Sequence, residues 1–264
     1  MNLKQFLLVT LFISVLACSS ESDDSKETPN DGILIEKIIY DKGTEDEYTE
    51  TFIYDGNKLM SVDYGDDYKN VYTYDDNDNL IKDDAYAENE LMATIAIEYN
   101  SENKVASYTE TFHDGSGLEG IYKYELSYNN DATITVKVYN KTSSSDFELY
   151  NTETITLNGK NIVKIVHDDG YTESYTYDNK NSAFKNIHAI EVLNLLSHHE
   201  YGAEIYSNTH NIISFVESGD SISDNYNDIY EYTYNENNYP KTGIATYSYG
   251  NLENEVSTIE FVYK

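Results

Sequence analysis

The chain has 264 residues, with 48 Asp and Glu against 17 basic residues and a formal net charge of −31. A polyanion of this kind repels phosphates, which excludes nucleic acid as a partner and excludes docking to anionic lipid by charge. The basic residues are all Lys, so no guanidinium is available to clamp carboxylate or phosphate in bidentate fashion, and Trp is absent too.

Lys4 followed by the nearly continuous apolar run Phe6 to Ala17 has the order of an export signal. About a dozen apolar residues are too few to span a bilayer, which takes roughly 20. The run ends in Val15-Leu16-Ala17-Cys18, which resembles the lipobox of bacterial lipoproteins. The resemblance implies that residues 1–17 are a lipoprotein signal peptide, cut before Cys18, and that Cys18 is acylated. Loss of 1–17 removes Lys4 and no acid, so the remainder is one unit more negative than the whole. Cys18 is the single cysteine: no intrachain disulfide can form, and no other thiol exists for catalysis or metal binding.

Residues 18–32 are polar and acidic, a disordered tether by composition. Ser19 stands where an aspartate signals inner-membrane retention in some bacteria. Glu21, Asp23 and Asp24 resemble the tag that exports Bacteroidota lipoproteins to the outer face of the outer membrane. The expected address is the outer membrane, lipid-anchored and facing the surface, with the periplasmic face as the alternative.

Residues 33–264 show no break in composition and are expected to form a single domain. Alternation dominates: Tyr122, Tyr124, Leu126 and Tyr128 share one face, as do Tyr171, Tyr175 and Tyr177, and Tyr230, Tyr232 and Tyr234. A period of two with aromatic and β-branched residues means strands. Between them a motif recurs about every 20 to 30 residues: Tyr, a few polar residues, then an aliphatic one. In chain order it occupies Tyr54–Leu59, Tyr74–Leu80, Tyr99–Val105, Tyr128–Ile134, Leu157–Ile162, Tyr177–Phe184, Tyr206–Ile212 and Tyr234–Tyr239. Asp and Asn accept left-handed backbone and bond nearby amides, so each copy reads as a hairpin turn. The predicted fold is all-β: a long curved antiparallel meander of roughly 14 to 18 strands, open or barrel-like. Ala189 to Ser197 breaks the rhythm, with apolar residues at 190, 192, 193, 195 and 196, and predicts one short helical insertion that caps or plugs the sheet.

Tyr-x-Tyr-Asp, a polar turn and then Leu or Ile resembles the YD repeat of bacterial surface proteins. The usual Gly-Arg before the Leu is missing, and Lys58 and Asn79 stand in that region. The order of Tyr177 to Asn186, Tyr232 to Pro240 and Thr258 to Tyr263 is similar to that in Bacteroidota lipoproteins with YD-like β-repeats. This likeness implies a fold and an address, and no activity.

Chemistry is sparse. Asp75, Asn77 and Asn79 have the spacing of an EF-hand loop, but Leu80 replaces the glycine and Tyr86 the glutamate. His198-His199-Glu200 is an adjacent pair, and His113, His167, His188 and His210 are scattered, so the histidines read as surface or helix-end residues. His113-Asp-Gly-Ser-Gly117 lacks a nucleophile elbow and reads as a hairpin loop. With 48 acids, some carboxylate pair will always have glycosidase spacing. No catalytic, metal or cofactor residue is assigned, and the only modified residue expected is Cys18. A face built from tyrosine, without an aliphatic belt between aromatic girdles, argues against a transmembrane barrel. The tyrosines read as lining for a wide, partly wet interior, with an aromatic platform for glycan as the functional version. The expected role is a non-catalytic, membrane-anchored module that binds saccharide or an envelope protein. The alternative is a structural protein holding a partner by a sheet edge or concave face.

Overall fold

The computed structural model describes residues 32–65, 67–113, 118–141, 146–198, 206–219, 226–250 and 254–264. Cys18 and the whole leader and tether up to residue 31 lie outside these, as do His199, Glu200 and the loop 114–117.

Sixteen strands follow one another: β1 (Ile35–Tyr40), β2 (Tyr48–Asp55), β3 (Lys58–Gly65), β4 (Tyr68–Tyr74), β5 (Leu80–Ala87), β6 (Glu90–Tyr99), β7 (Val105–His113) and β8 (Leu118–Tyr128). Then come β9 (Thr133–Lys141), β10 (Glu148–Asn158), β11 (Asn161–His167) and β12 (Thr172–Tyr177). The helix α1 (Ile190–Ser197) precedes β13 (Ile212–Ser218), β14 (Tyr226–Tyr234), β15 (Pro240–Tyr249) and β16 (Glu255–Tyr263). Each strand pairs antiparallel with the next, and β1 pairs with β16, so the meander closes into a barrel. Closure corrects the alternative of a sheet edge offered to a partner, because every described strand has two neighbours.

The recurring motif builds one end of the barrel. In Tyr74–Leu80 the Asp75 side chain accepts the backbone amides of Asn77 (2.9 Å) and Asn79 (2.8 Å). Asp75 and Asn79 also close the strand ladder, and Asp78 takes left-handed backbone. Asn100 repeats this with Glu102 and Lys104, and Asn235 with Asn237 and Tyr239. The acids of the supposed calcium loop thus serve as a turn, and Asp75 is held below the usual carboxylate range chiefly by the Asn79 amide.

In several copies the tyrosine reaches across to the strand before it, and Tyr263 at the end of β16 does the same. Tyr74 Oη donates to the carbonyl of Leu59 (3.1 Å), Tyr99 to Leu80 (2.7 Å), Tyr177 to Ile162 (2.6 Å) and Tyr263 to Pro240 (2.7 Å). The aliphatic residues that open the odd strands, among them Leu59, Leu80, Val105, Ile134 and Ile162, are buried beneath this girdle. Lys58, just before Leu59, lies 5.8 Å from the Tyr74 ring, and Lys104 lies 5.3 Å from Tyr128. Lysine therefore stacks on the next repeat's ring, which accounts for Lys58 in place of the arginine.

The segment between β12 and β13 is one such turn, greatly enlarged. Asp178 accepts the Asn211 amide (3.1 Å) and side chain (2.9 Å), just as Asp75 takes those of Asn79. Tyr206–Ile212 is therefore not a hairpin of its own, which corrects its reading as a separate repeat: Asn211 and Ile212 complete the turn begun at Tyr177. Sequence spacing misled because the halves lie over 30 residues apart. The enlarged turn folds back into the barrel as a plug. Phe184, Ile187, Ile190, Leu193, Leu195, Leu196 and Tyr206 are buried in it. Phe184 meets Phe52 (6.0 Å between ring centres), and the Tyr206 hydroxyl approaches those of Tyr64 and Tyr72. Polar ties fix it to the rim: His188 N to Asn57 O, Asn181 N to Asn238 O, Asn208 to Lys160 O and Asn186 to Ile33 O.

Alternation sends the tyrosines and most aliphatics inward and most polar residues outward, while Ile53, Val216, Ile229, Ile244 and Val256 are exposed on the outer face. The strand lysines Lys37, Lys69, Lys82, Lys123, Lys137 and Lys164 take outward positions in the register. Among them run Thr49, Thr51, Thr109, Thr111, Thr154, Thr156, Glu98, Glu231 and Glu260. Lys82 pairs with Asp84 and Lys123 with Glu125 on this face.

Candidate ligand cavity in the barrel lumen

Above the plug the lumen holds a cavity of about 290 Å³. Its floor is Ala183, Phe184, Ser207 and Asn211 of the plug, and its walls come from β1, β2, β13, β14 and β16. Seven aromatic residues line it: Phe184 in the floor, and Tyr40, Tyr48, Phe215, Tyr230, Tyr232 and Phe261 in the walls. Tyr40 and Tyr48 are cross-strand partners at the end opposite the plug and stack 4.3 Å apart at 8°. Tyr48 is 46% exposed while Tyr40 is buried, which marks a rim. Tyr232 packs on Gly243, where a Cβ would come within 3.0 Å of its ring, so glycine there seats the ring. Tyr230 and Tyr232 lie almost parallel, and Phe261 meets Tyr232 edge-on.

Two carboxylates share this wall. Glu50, on β2, is 4% exposed, and Asp228, on β14, is half-buried. Burial, reinforced by the negative charge of Glu217, pushes the Asp228 carboxyl up to about 6. The Glu217 carboxyl is itself raised, first by burial. No lysine lines the cavity.

Next to the cavity, acids and histidines interlock inside the barrel. His167 Nε2 faces Glu173 (3.2 Å) and its Nδ1 faces Glu153 (3.5 Å) and Asn151 (3.1 Å). Burial opposes the imidazolium, but the Glu173 hydrogen bond and the charges of Glu153 and Glu173 outweigh it and raise the His167 pKa. Glu173 also accepts the hydroxyl of Tyr175, which meets His198 Nδ1 at 3.1 Å. Burial works against the Glu173 charge, yet these partners hold its pKa below the usual range. This corrects the reading of His167 as a surface histidine; it sits in the lumen, clasped by two glutamates. His198 does cap the end of α1 as expected.

The structure brings Tyr230 and Tyr232 together as the alternation predicts. What sequence reasoning missed is the acid on the inner face. The signal was parity: Glu50 with Phe52, Glu110 with Tyr108, Glu173 with Tyr175 and Asp228 with Tyr230 each stand two residues apart and so point the same way. Among the described residues, no group of three or more His, Cys, Asp or Glu is arranged to hold a metal ion.

No protein-family model matches this chain, and no curated protein matches it. In fold it is similar to a porin-like protein from Bacteroides vulgatus, with a TM-score of 0.53 and 14% identity, covering 88% of this chain and 98% of that one. A porin-like protein from Bacteroides uniformis aligns over 87% of this chain and 96% of that one, with a TM-score of 0.40 and 14% identity.

Proposed function

We propose that the chain is a lipid-anchored protein of the cell envelope, surface-facing on the outer membrane, that binds a small saccharide in the lumen and performs no catalysis. The aromatic cavity above the plug carries this reading. Rings supply stacking faces, while Glu50, Asp228 and Ser207 supply acceptors for hydroxyls. The size of the cavity, near the lower end of the roughly 300–1,000 Å³ typical of ligand pockets, suits a monosaccharide or a chain end. The lipobox-like Val15 to Cys18 supports the anchor, and the likeness in fold to the Bacteroides vulgatus protein is in keeping with an envelope role without chemistry.

In this reading the wall itself stays out of lipid. A lysine at the middle of a lipid-facing band costs roughly 2–4 kcal/mol, and Lys123, Lys137 and Lys164 occupy outward positions at the middle of their strands. Strand β1 begins at the plugged end, where Asn186 bonds the Ile33 carbonyl. A glycan array probed with the full-length protein in detergent tests the reading. Binding lost in Tyr230→Ala is expected, and a blank array would overturn it.

A further inference from the structure

We propose that the open rim of the barrel, independently of any ligand in the lumen, is a docking surface for a basic polypeptide partner that also presents apolar side chains. The even-numbered strands begin at this rim, and most of the large apolar residues exposed among the described ones gather there. Tyr48 opens β2, Tyr68 opens β4, and Leu91 and Met92 stand at the head of β6. Leu149 and Tyr150, at the head of β10, are exposed by 56% and 66%. Exposed aromatic and aliphatic side chains gathered in this way mark an interaction surface.

Charge says what covers it. Between these residues the rim carries exposed acids, among them Glu45, Glu47, Asp67, Glu90, Asp146 and Glu148. The lysines described at this end serve the protein's own groups. Lys42 pairs with Glu260 (2.8 Å), Lys69 lies 5.4 Å from the Tyr86 ring and Lys141 4.8 Å from that of Phe147. At the plugged end, by contrast, lysines answer the acids: Lys58 pairs with Asp78, Lys104 with Glu102 and Lys160 with Glu191. The open rim is thus the acidic pole of the barrel. A second copy docked rim to rim, or an anionic lipid surface, would set like charge against like. A polypeptide with lysines or arginines around apolar side chains meets both features. The acids speed its approach, and the exposed rings and Leu149 supply the anchors that hold it.

Fluorescence anisotropy with three labelled peptides of one length tests this on the full-length protein in non-ionic detergent. The first repeats Lys-Ser-Tyr-Ser, the second replaces its Tyr by Ser, and the third replaces its Lys by Glu. The Lys–Tyr peptide is expected to bind about tenfold more tightly than the Lys–Ser peptide, and the Glu–Tyr peptide not to bind. Leu149→Ser with Tyr150→Ser is expected to bring the Lys–Tyr peptide down to the Lys–Ser affinity. Ile229→Ser with Ile244→Ser, on the outer wall, should leave it within about twofold. Asp146→Asn with Glu148→Gln is expected to slow association and flatten its salt dependence. Equal binding of the two lysine peptides would reduce the attraction to the net charge of the chain and overturn the proposal. So would binding of the Glu–Tyr peptide, silence from all three, or an equal loss in the wall variant. Dimerisation in sedimentation that the rim variant abolishes would assign the rim to a second copy and overturn it too. Flotation of the Cys18→Ala protein with phosphatidylcholine vesicles, abolished in the same way, would assign it to lipid with the same result.

Discussion

The tyrosine girdle can be dismantled one hydroxyl at a time. Tyr99, Tyr177 and Tyr263 each donate to a carbonyl at the start of the preceding strand, at 2.6 to 2.7 Å. Burial, first of all, pushes the Tyr99 hydroxyl up to about 12, so it remains a donor at any ordinary pH. Replacing each by Phe keeps the ring and orphans one partly buried carbonyl, at a cost of about 1 kcal/mol apiece. The three lie at least four strands apart, about 19 Å at ~4.8 Å per strand, so their effects should add to ~3 kcal/mol. For a domain of this size that is about 6–12 °C in Tm. Tyr54 supplies the control. It holds the equivalent position on β2, but its buried hydroxyl has no hydrogen-bond partner among the described residues, and Lys264 covers the ring instead. Tyr54→Phe should therefore be neutral or stabilising. Urea unfolding followed by far-ultraviolet circular dichroism, with slopes compared between variants, measures all four. The reasoning fails if Tyr54→Phe costs as much as the others, or if the triple variant unfolds at the wild-type midpoint.

Further expectations concern the plug, the turns, the lumen and the anchor. Leu193→Ala, at 2% exposure in the plug, should cost about 2–5 kcal/mol by thermal melting. Replacing residues 179–210 by three turn residues lets Asp178 and Asn211 close an ordinary hairpin, but it removes several buried side chains worth about 1.5–3 kcal/mol each. That protein is expected to bind a hydrophobic dye and to lose cooperative melting; a sharp native-like transition would contradict the plug's role. His167 has a raised pKa in the folded state, so its stabilisation is complete below about 6.5 and is lost as pH rises through the raised value. His167→Gln should flatten stability against pH in that window, and an imidazole resonance titrating below 6.5 would refute the assignment. Millimolar calcium should shift Tm no more than magnesium does, because the Asp75 carboxylate is engaged by turn amides. Cys18→Ala should abolish acylation as read by mass spectrometry and leave a protein that partitions into the aqueous phase of a cloud-point detergent.

Much of this fold could be read from local chemistry. The turn at Asp75 to Asn79 is held by bonds within five residues, so its signature survives in the sequence. The helix showed itself through the spacing of Ile190, Val192, Leu193, Leu195 and Leu196. Closure did not, because it depends on Ile38 meeting Phe261 across the whole domain, and nothing in either strand names the other. Nor did the joining of Asp178 to Asn211, since a side-chain bond made across an insertion has no local trace. Calling one strand face greasy and the other wet hid the lumen acids, because Glu173 and Tyr175 share a face and alternation by itself does not count charges on the apolar side.

The pairing of the first and last strands has a mechanical consequence. Leu34 and Lys264 exchange both backbone hydrogen bonds at the plugged end, and β1 runs from there up the wall between β2 and β16. A pull on the chain at Gly32, directed away from the plug, acts along β1. The ladder bonds on both flanks lie across that pull and are strained together, so the strand resists as a sheared patch instead of opening like a zip one bond at a time. A weight gripped at the Tyr48 rim would be transmitted lengthwise through the wall to Gly32.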